Sequence, residues 1–279
     1  MVTVSIALYM METMTTLAFP ETPTVDSISD GLYYTLPRVS FAVTNVHTRV
    51  AKFDHVVIKL PTERALSFHQ NAMYRGHAGP NSIRDPSDLE LPARMDEALE
   101  EYPELKQPIN RFESYDISID AETIHRYVHY LIMHKHHVVR LKQFGSVNIP
   151  DARFVLFRES GAQFSLRHFK KIHYDRIIPG IVQQRAFGHS LWNIYSPWMG
   201  VWPKWRPYLP EISKAAAPLF REHLRDFFDW NLRNFLYNTD ERSLSYVDSK
   251  PSVFAGKIEN DNNFRSFQKA FGEIARFGE

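Results

Sequence analysis

The most informative segment of this 279-residue chain reads Asp226-Phe-Phe-Asp-Trp-Asn-Leu-Arg-Asn-Phe-Leu-Tyr-Asn-Thr-Asp-Glu-Arg-Ser-Leu-Ser-Tyr-Val-Asp248. A helical pattern ends at its start, and Asp229 is followed five residues later by Asn234. The apolar runs on both sides of a polar turn predict a β-hairpin that delivers Asp248. The pattern thus places a carboxylate or amide side chain at Asp229, Asn234 and Asp248, around one predicted hairpin.

In this arrangement the segment resembles the catalytic loop and metal-binding hairpin of the protein-kinase-like phosphotransferases. The resemblance implies that Asp229 is the catalytic base that accepts a hydroxyl proton, and that Asn234 and Asp248 hold Mg²⁺. Asp226 and Asn231 have the same spacing. We prefer Asp229 because Asn234 abuts the apolar strand, whereas Asp226 belongs to the helix. Surface turns with ordinary Asx capping are the alternative interpretation of these residues.

The first third of the chain has the composition of β-strands. Runs rich in β-branched and aromatic residues predict strands over 31–43, 45–52 and 55–61. The polar, proline-rich stretch at about 74–117 predicts an insertion, with a short helix over 93–102.

The rest of the chain is mostly helical in pattern. Apolar residues at helical spacing predict a long helix that Asp120 caps and Gly145 ends. Two strands follow, over 153–158 and 176–184. A helix over 210–228, the hairpin and a short helical tail complete the pattern. The chain is therefore predicted to be α+β, with a sheet-rich front and a helical back.

The order of elements over residues 30–260 also resembles the two-lobed protein-kinase-like fold. This resemblance implies a β-rich N-lobe over 1–185 and a mostly helical, shortened C-lobe over 186–279. The segment 180–191 is similar to the last N-lobe strand, the hinge and the first C-lobe helix of small-molecule kinases.

A nucleotide site at the junction of the lobes follows from the same resemblance. The backbone near Gln184 and Ala186 would meet an adenine ring, and Lys59, in Val-Val-Ile-Lys, would grip the α- and β-phosphates of ATP. A buried strand lysine needs a carboxylate partner, for which Glu122 on the following helix is the candidate. The alternative role for Lys59 is to protect an edge strand from aggregation.

Several features depart from the family pattern. Phe227-Phe228 stand where the family has His-Arg, and Asp248-Ser-Lys-Pro replaces Asp-Phe-Gly. No Gly-x-Gly-x-x-Gly loop lies between the first two strands, and few residues follow Asp248, which argues against a protein substrate. The predicted activity is ATP- and Mg²⁺-dependent phosphoryl transfer to a small-molecule hydroxyl. A pseudokinase-like nucleotide-sensing or partner-binding module is one alternative, and an α+β binding protein unrelated to kinases is another.

The amino-acid composition argues against several other classes of protein. Lys and Arg total 33 against 32 Asp and Glu, and this near-neutral balance argues against a general nucleic-acid binder. The absence of cysteine excludes disulfides, thiolate nucleophiles and cysteine-ligated metals. Residues 1–19 lack a basic n-region, and no run reaches the roughly 18 apolar residues of a spanning helix. We therefore expect a cytoplasmic protein whose partners are a nucleotide and a small-molecule acceptor, without nucleic acid or membrane.

Three further patterns have a structural interpretation beside a functional one. His125 and His129 are four residues apart, as in helical zinc sites, although histidines on the polar face of a helix are commoner. The tryptophans between 192 and 205 suit stacking on a ligand, but core packing is the expected role. Lys250 is expected to face solvent.

Overall fold

A mixed six-stranded sheet, one long helix and a smaller three-stranded sheet organise the chain. The computed structural model describes residues 16–43, 48–62, 65–66, 95–107, 121–145, 147–165, 170–196, 200–220, 227–249 and 257–272. For residues 95–96, 121–122, 162–165, 170–175, 196 and 257–260 it describes the backbone alone. The class is α+β, as the sequence predicts.

The elements have the following bounds. The strands are β1 (Tyr33–Thr35), β2 (Ala42–Val43), β3 (Thr48–Lys52), β4 (Val56–Pro61), β5 (Ala152–Ser165), β6 (Lys170–Gln184), β7 (His189–Ser190), β8 (Tyr195–Ser196), β9 (Gly200–Val201), β10 (Phe235–Asn238) and β11 (Ser243–Tyr246). The α-helices are α1 (Met95–Glu101), α2 (Ala121–Phe144), α3 (Leu191–Ile194), α4 (Leu209–Ala216) and α5 (Lys257–Phe267). Short 3₁₀ helices span Val25–Ser27, Pro103–Leu105, Pro203–Tyr208, Ala217–Phe220 and Leu232–Asn234, and a π-helical segment spans Gln268–Gly272.

The larger sheet has the strand order β1-β5-β6-β4-β3-β2. β1 runs parallel to β5, and the other neighbours in this sheet are antiparallel. The second sheet has the order β11-β10-β7. Because β4 is hydrogen-bonded on both sides, by β3 and by β6, the edge-strand role for Lys59 is wrong.

Alternate residues of the central strands face two separate apolar clusters. On the outer face, Ile58 of β4, Phe157 of β5 and Val182 of β6 pack beneath an N-terminal segment that includes Ile28. On the inner face, residues such as Phe154 pack against α2 and the C-terminal elements. Lys59 follows Ile58 on β4 and therefore projects from the inner face.

The first predicted strand is two short ones. The prediction of continuous structure over 31–43 is wrong, because β1 ends at Thr35 and β2 begins at Ala42. Pro37 lies between them, lacks an N–H for a ladder and restricts the residue before it. β3 and β4 agree with the other two predicted strands, although residues 44–47 lie outside the described part.

The long helix α2 agrees with its predicted bounds. It begins at Ala121 and ends at Phe144. Gly145 follows with φ +58°, a left-handed conformation that glycine adopts without strain, and its N–H donates to the Lys142 carbonyl at 3.2 Å. Helix α1 also agrees with the prediction over 93–102. The rest of the 74–117 insertion is described only from Pro103 to residue 107.

The β5–β6 hairpin is much longer than predicted. The two strands were expected over 153–158 and 176–184, but they have 14 and 15 residues and pair from Ala152↔Gln183 to Ser165↔Lys170. The outer halves are polar and lack the apolar alternation that predicts strands. Their ladder satisfies the backbone groups without that pattern.

The helix predicted over 210–228 is wrong in extent. α4 ends at Ala216, and the chain continues as a 3₁₀ turn through Phe220. Pro218 explains the end of α4, because it has no N–H to continue the helical hydrogen bonds. The predicted hairpin is confirmed as β10 and β11, which pair from Phe235↔Tyr246 to Asn238↔Ser243, and the predicted tail is α5.

The tryptophan segment divides between core and surface. Trp205 is 5% exposed, so its predicted core role is confirmed. Trp192 and Trp202 are 39% and 41% exposed, so they lie at the surface. Trp198 lies outside the described residues.

The inner core continues across residue 185, which the sequence assigns as the lobe boundary. Aromatic side chains of the second sheet and α5, including Trp230, Phe235 and Phe267, belong to the same cluster as the inner face of the larger sheet. Asn148 links the parts directly: its N–H donates to the Leu244 carbonyl, and its carbonyl accepts from the Tyr246 N–H, both at 2.9 Å. The division into two lobes stays a prediction.

Candidate active site

The hairpin and the turn before it bring three predicted residues together. The Asn234 Nδ2 donates to the main-chain carbonyl of Asp229 and to the Oδ2 of Asp248, both at 3.3 Å. The Val247 N–H donates to the Asn234 carbonyl at 2.8 Å, which fixes the strand end beside the turn. Asp229, Asn234 and Asp248 therefore form one cluster, half-buried at the end of the β10–β11 ladder.

Local sequence explains why the turn has this shape. The Asn231 Oδ1 accepts from the Arg233 N–H at 3.1 Å and so caps the 3₁₀ helix that precedes β10. On either side of Asp229, the rings of Phe228 and Trp230 are completely buried. Asn231 thus has a capping role, which supports Asp229 and Asn234 as the functional pair. Asp226 lies outside the described residues.

Asp229 is held through Tyr246. The Asp229 N–H donates to the Tyr246 hydroxyl at 3.0 Å, and the Asp229 Oδ1 accepts from the Asn231 N–H at 3.2 Å. Burial raises the pKa of Tyr246 well above its usual value, and the charges of Asp248 and Asp229 raise it further. The phenol therefore stays protonated beside both carboxylates at neutral pH.

Lys59 reaches the same cluster from β4. Its Nζ donates to the carbonyl of Val247, which precedes Asp248. Burial lowers the pKa of Lys59, and the negative charge of Asp248 opposes this shift. The lysine predicted to bind phosphate thus lies beside the carboxylate predicted to bind metal.

The predicted carboxylate partner of Lys59 is not described at side-chain level. Glu122 is in the first turn of α2, and its side chain lies outside the described part of the chain. Further along α2, His134 contacts Ser249, and Tyr130 and His137 lie within electrostatic reach of Asp248. Tyr130 is eight residues beyond Glu122, or about 12 Å along the helix axis at 1.5 Å per residue.

Three described side chains of α2 lie near the Asp248 segment. The His134 Nδ1 lies 3.2 Å from the Ser249 Oγ. Burial lowers the pKa of His137 to about 4, against the opposing effect of Asp248. Burial raises the pKa of Tyr130, and Asp248 adds to this increase. His137 and Tyr130 are thus neutral at pH 7 and add no positive charge beside Asp248.

The predicted adenine contacts lie at the end of β6. Gln184 pairs with Val56, and Ile181 pairs with Lys59, so Gln184 is three positions from Lys59 along the ladder, about 10 Å at the rise of a strand. The Gln184 N–H donates to the Asp151 carbonyl at 2.7 Å. Ala186 lies beyond the strand and is half-buried, and no described backbone hydrogen bond uses its N–H.

Sequence reasoning did not identify Tyr130, His134, His137, Tyr246 or Ser249 as members of this cluster. For three of them the sequence contained a signal: the spacing of positions 130, 134 and 137 places them on one face of a helix. The histidines of α2 with the spacing of a zinc site, His125 and His129, are respectively exposed and half-buried. Lys250 lies outside the described residues.

The cluster fits a hard divalent cation. The described hydrogen bonds of the Asn234 side chain all use Nδ2, so its Oδ1 retains its lone pairs, and Asp248 supplies a carboxylate. Across the described ranges, no group of three or more His, Asp or Glu side chains is arranged to hold a metal ion. A cation here would use Asp248 and Asn234 with oxygens from a bound ligand, as Mg²⁺ does in phosphate complexes.

Comparison of the chain with protein-family models, curated proteins and solved structures finds no match. Within the described ranges, no helix has both the length and the apolar character needed to cross a bilayer.

Proposed function

We propose that this protein is an ATP- and Mg²⁺-dependent phosphotransferase that acts on the hydroxyl of a small molecule, with a two-lobed, protein-kinase-like fold. One observation carries the proposal. The Asn234 amide joins Asp229 to Asp248, and Lys59, from a strand far away in sequence, contacts the residue before Asp248. Base, metal ligands and phosphate-binding cation of such an enzyme would occupy these positions.

The arrangement of the larger sheet supports the same proposal. Lys59 is on β4, which neighbours β6, and β6 leads directly into the Gln184–Ala186 segment. The long helix α2 lies in sequence between these two strands and packs on the inner face. A nucleotide laid along this face would have its base near Ala186 and its phosphates near Lys59. The Ala186 N–H is the group that would donate to the base.

Mg²⁺ held by Asp248 and the Asn234 Oδ1 would neutralise phosphate charge and orient the transferred group. Lys59 would bind the α- and β-phosphates as a second cation. Burial lowers the pKa of Lys59, and the charge of bound phosphates would raise it and favour the ammonium form. Asn234 would keep Asp229 and Asp248 at a fixed separation through its Nδ2.

Asp229 would act on the acceptor. In this reaction the acceptor hydroxyl oxygen forms a bond to the γ-phosphorus, and the bond from that phosphorus to the β–γ bridging oxygen breaks. ADP leaves, and the hydroxyl proton passes to the Asp229 carboxylate. Catalysis of this kind is mostly positioning and charge stabilisation, so a small set of fixed residues is sufficient. The absence of cysteine suits the reducing cytoplasm that we propose as its location.

A second candidate function is nucleotide sensing without catalysis. The Asp229 Oδ1 already accepts from the Asn231 N–H, which turns part of the carboxylate toward its own loop. The connection between β2 and β3, Thr-Asn-Val-His, has no glycine with which to approach phosphates. Both features would suit a protein that binds a nucleotide and transfers nothing.

Calorimetric titration with a non-hydrolysable ATP analogue, with and without Mg²⁺, tests these proposals. We expect saturable binding by the wild type that Mg²⁺ strengthens, and loss of this metal dependence in Asp248→Asn. Turnover should fall about 10²–10³-fold in that variant, because a developing charge loses its fixed counter-charge. Asp240→Asn, in the exposed turn of the same hairpin, is the matched control and should behave as wild type.

The outcomes separate the candidates. If neither Mg²⁺ nor the Asp248→Asn substitution changes the nucleotide affinity, and no acceptor is turned over, the sensing module is favoured. A wild-type protein that binds no nucleotide at millimolar concentration would exclude both and leave an unrelated α+β binding protein.

A further inference from the structure

We propose that His134 is a positioning residue for Asp248, which it holds in place through the Ser249 hydroxyl. Metal-dependent nucleotide binding would then depend on the position of helix α2. This inference rests on the proposed function, because it concerns the geometry of the proposed metal ligand. It assigns a role to a side chain that contacts neither nucleotide nor cation.

The contact between His134 and Ser249 is buried. The two residues are 3% and 1% exposed, and the Nδ1 and Oγ atoms are 3.2 Å apart. The His134 ring also packs on Tyr130, with ring centroids 4.4 Å apart. In a site closed to water, loss of one partner leaves the other polar group unsatisfied, so the pair fixes the distance between α2 and the chain at Ser249.

Three consecutive residues are held from three different elements. Lys59 of β4 donates to the Val247 carbonyl, Asn234 donates to the Asp248 carboxylate, and His134 of α2 contacts the Ser249 hydroxyl. Asp248 is the middle residue of this segment. The residues on both sides of Asp248 are therefore held, and the contact on the C-terminal side comes from α2.

The neighbouring residue of α2 on this side supports a positioning role rather than charge compensation. His137 is 4% exposed, and its Nε2 has no hydrogen-bond partner among the described residues. It lies within electrostatic reach of Asp248 and is neutral at pH 7. His137 therefore adds no positive charge beside Asp248 at pH 7, and the contribution of α2 that we infer is the contact of His134 with Ser249.

The test compares four variants by titration with the ATP analogue, with and without Mg²⁺. His134→Ala and Ser249→Ala should each weaken the Mg²⁺-dependent affinity by about 10–100-fold, the usual effect of removing a residue that orients a metal ligand. Binding without Mg²⁺ should be unchanged. The double variant should be no weaker than the single ones, because both remove the same contact. His134→Asn places an amide near the Ser249 hydroxyl and should restore most of the affinity.

His136→Ala is the matched control. His136 is also a buried histidine of α2, but its Nδ1 lies 3.0 Å from the Tyr102 hydroxyl, away from Ser249. It should lose a comparable amount of thermal stability and keep the Mg²⁺ dependence of wild type. If His134→Ala does not fold, Ser249→Ala and His134→Asn decide the question.

The results that overturn the inference are specific. One is a Ser249→Ala variant whose nucleotide affinity depends on Mg²⁺ as strongly as that of wild type. The other is a His136→Ala variant that loses as much Mg²⁺-dependent affinity as His134→Ala. Both results count only if the wild-type protein shows Mg²⁺-dependent binding. A wild-type protein without metal-dependent binding overturns the proposed function as well, so the two failures are distinguishable.

Discussion

The two faces of β4 differ in what their residues do. On the outer face, Val56, Ile58 and Leu60 are completely buried and belong to the outer apolar cluster. On the inner face, Lys59 is buried at a cost in desolvation and contacts the Asp248 segment. Neighbouring residues of one strand therefore serve stability and the candidate site separately, because successive side chains point to opposite faces of a sheet.

A substitution on the outer face should affect stability alone. Ile58→Ala should reduce the free energy of unfolding by about 4 kcal/mol, because it leaves a cavity in a core with no access to solvent. Chemical denaturation would measure this loss. Mg²⁺-dependent nucleotide binding, measured where the variant is still folded, should equal that of wild type; a loss of binding in proportion to stability would break the separation of the faces.

A substitution on the inner face should have the opposite result. Lys59→Met should reduce turnover about 10²-fold, equivalent to about 2.7 kcal/mol of transition-state stabilisation, because the phosphates lose a cation. Its thermal stability should stay equal or increase, since methionine fills a similar volume without desolvation of a charge. Kinetics and a melting curve on the same preparation would measure both quantities, and a large fall in melting temperature would contradict the comparison.

Helix α2, which covers the inner face of the larger sheet, should make the stability of the protein depend on pH in the acidic range. Burial lowers the pKa of His129 to about 4 from 6.5 in the unfolded chain, so the folded state binds fewer protons between these values. Stability should therefore rise with pH across this window and fall as the pH drops below about 6.5.

A histidine whose pKa is lowered on folding contributes at most about 1.4 kcal/mol per pH unit to the slope of the unfolding free energy against pH. Chemical denaturation at several pH values from 4.5 to 7 would measure the slope of the unfolding free energy against pH. His129→Gln should reduce this slope by up to the contribution of one proton. His125→Gln, at an exposed position on the same helix, is the matched substitution for comparison.

Local patterns predicted the elements whose signals are local. α2 and the β10–β11 hairpin were predicted nearly to the residue, because a terminal glycine ends the helix and a polar turn joins the two strands. Asp120, the predicted cap of α2, lies outside the described residues. The extent of β5 and β6 was not predictable in this way. Their outer halves are held by backbone pairing between strands, which leaves no trace in the hydrophobic pattern.

The candidate site divides in the same way. The contact of Asp229, Asn234 and Asp248 lies within one segment, and its spacing was visible in the sequence. The contact of His134 with Ser249 depends on how α2 is rotated and placed against a loop 115 residues away. Side-chain periodicity gives the face of a helix but not the distant residue that the face meets.

The bond from Lys59 to the Val247 carbonyl joins residues 188 positions apart. The chain must close this long loop before the site exists, and the entropy of closure is repaid only when the sheet and the hairpin are both formed. Assembly of the site is therefore expected to be a late event in refolding, after the local helices and hairpins. In a refolding experiment, recovery of nucleotide binding should lag behind recovery of secondary structure.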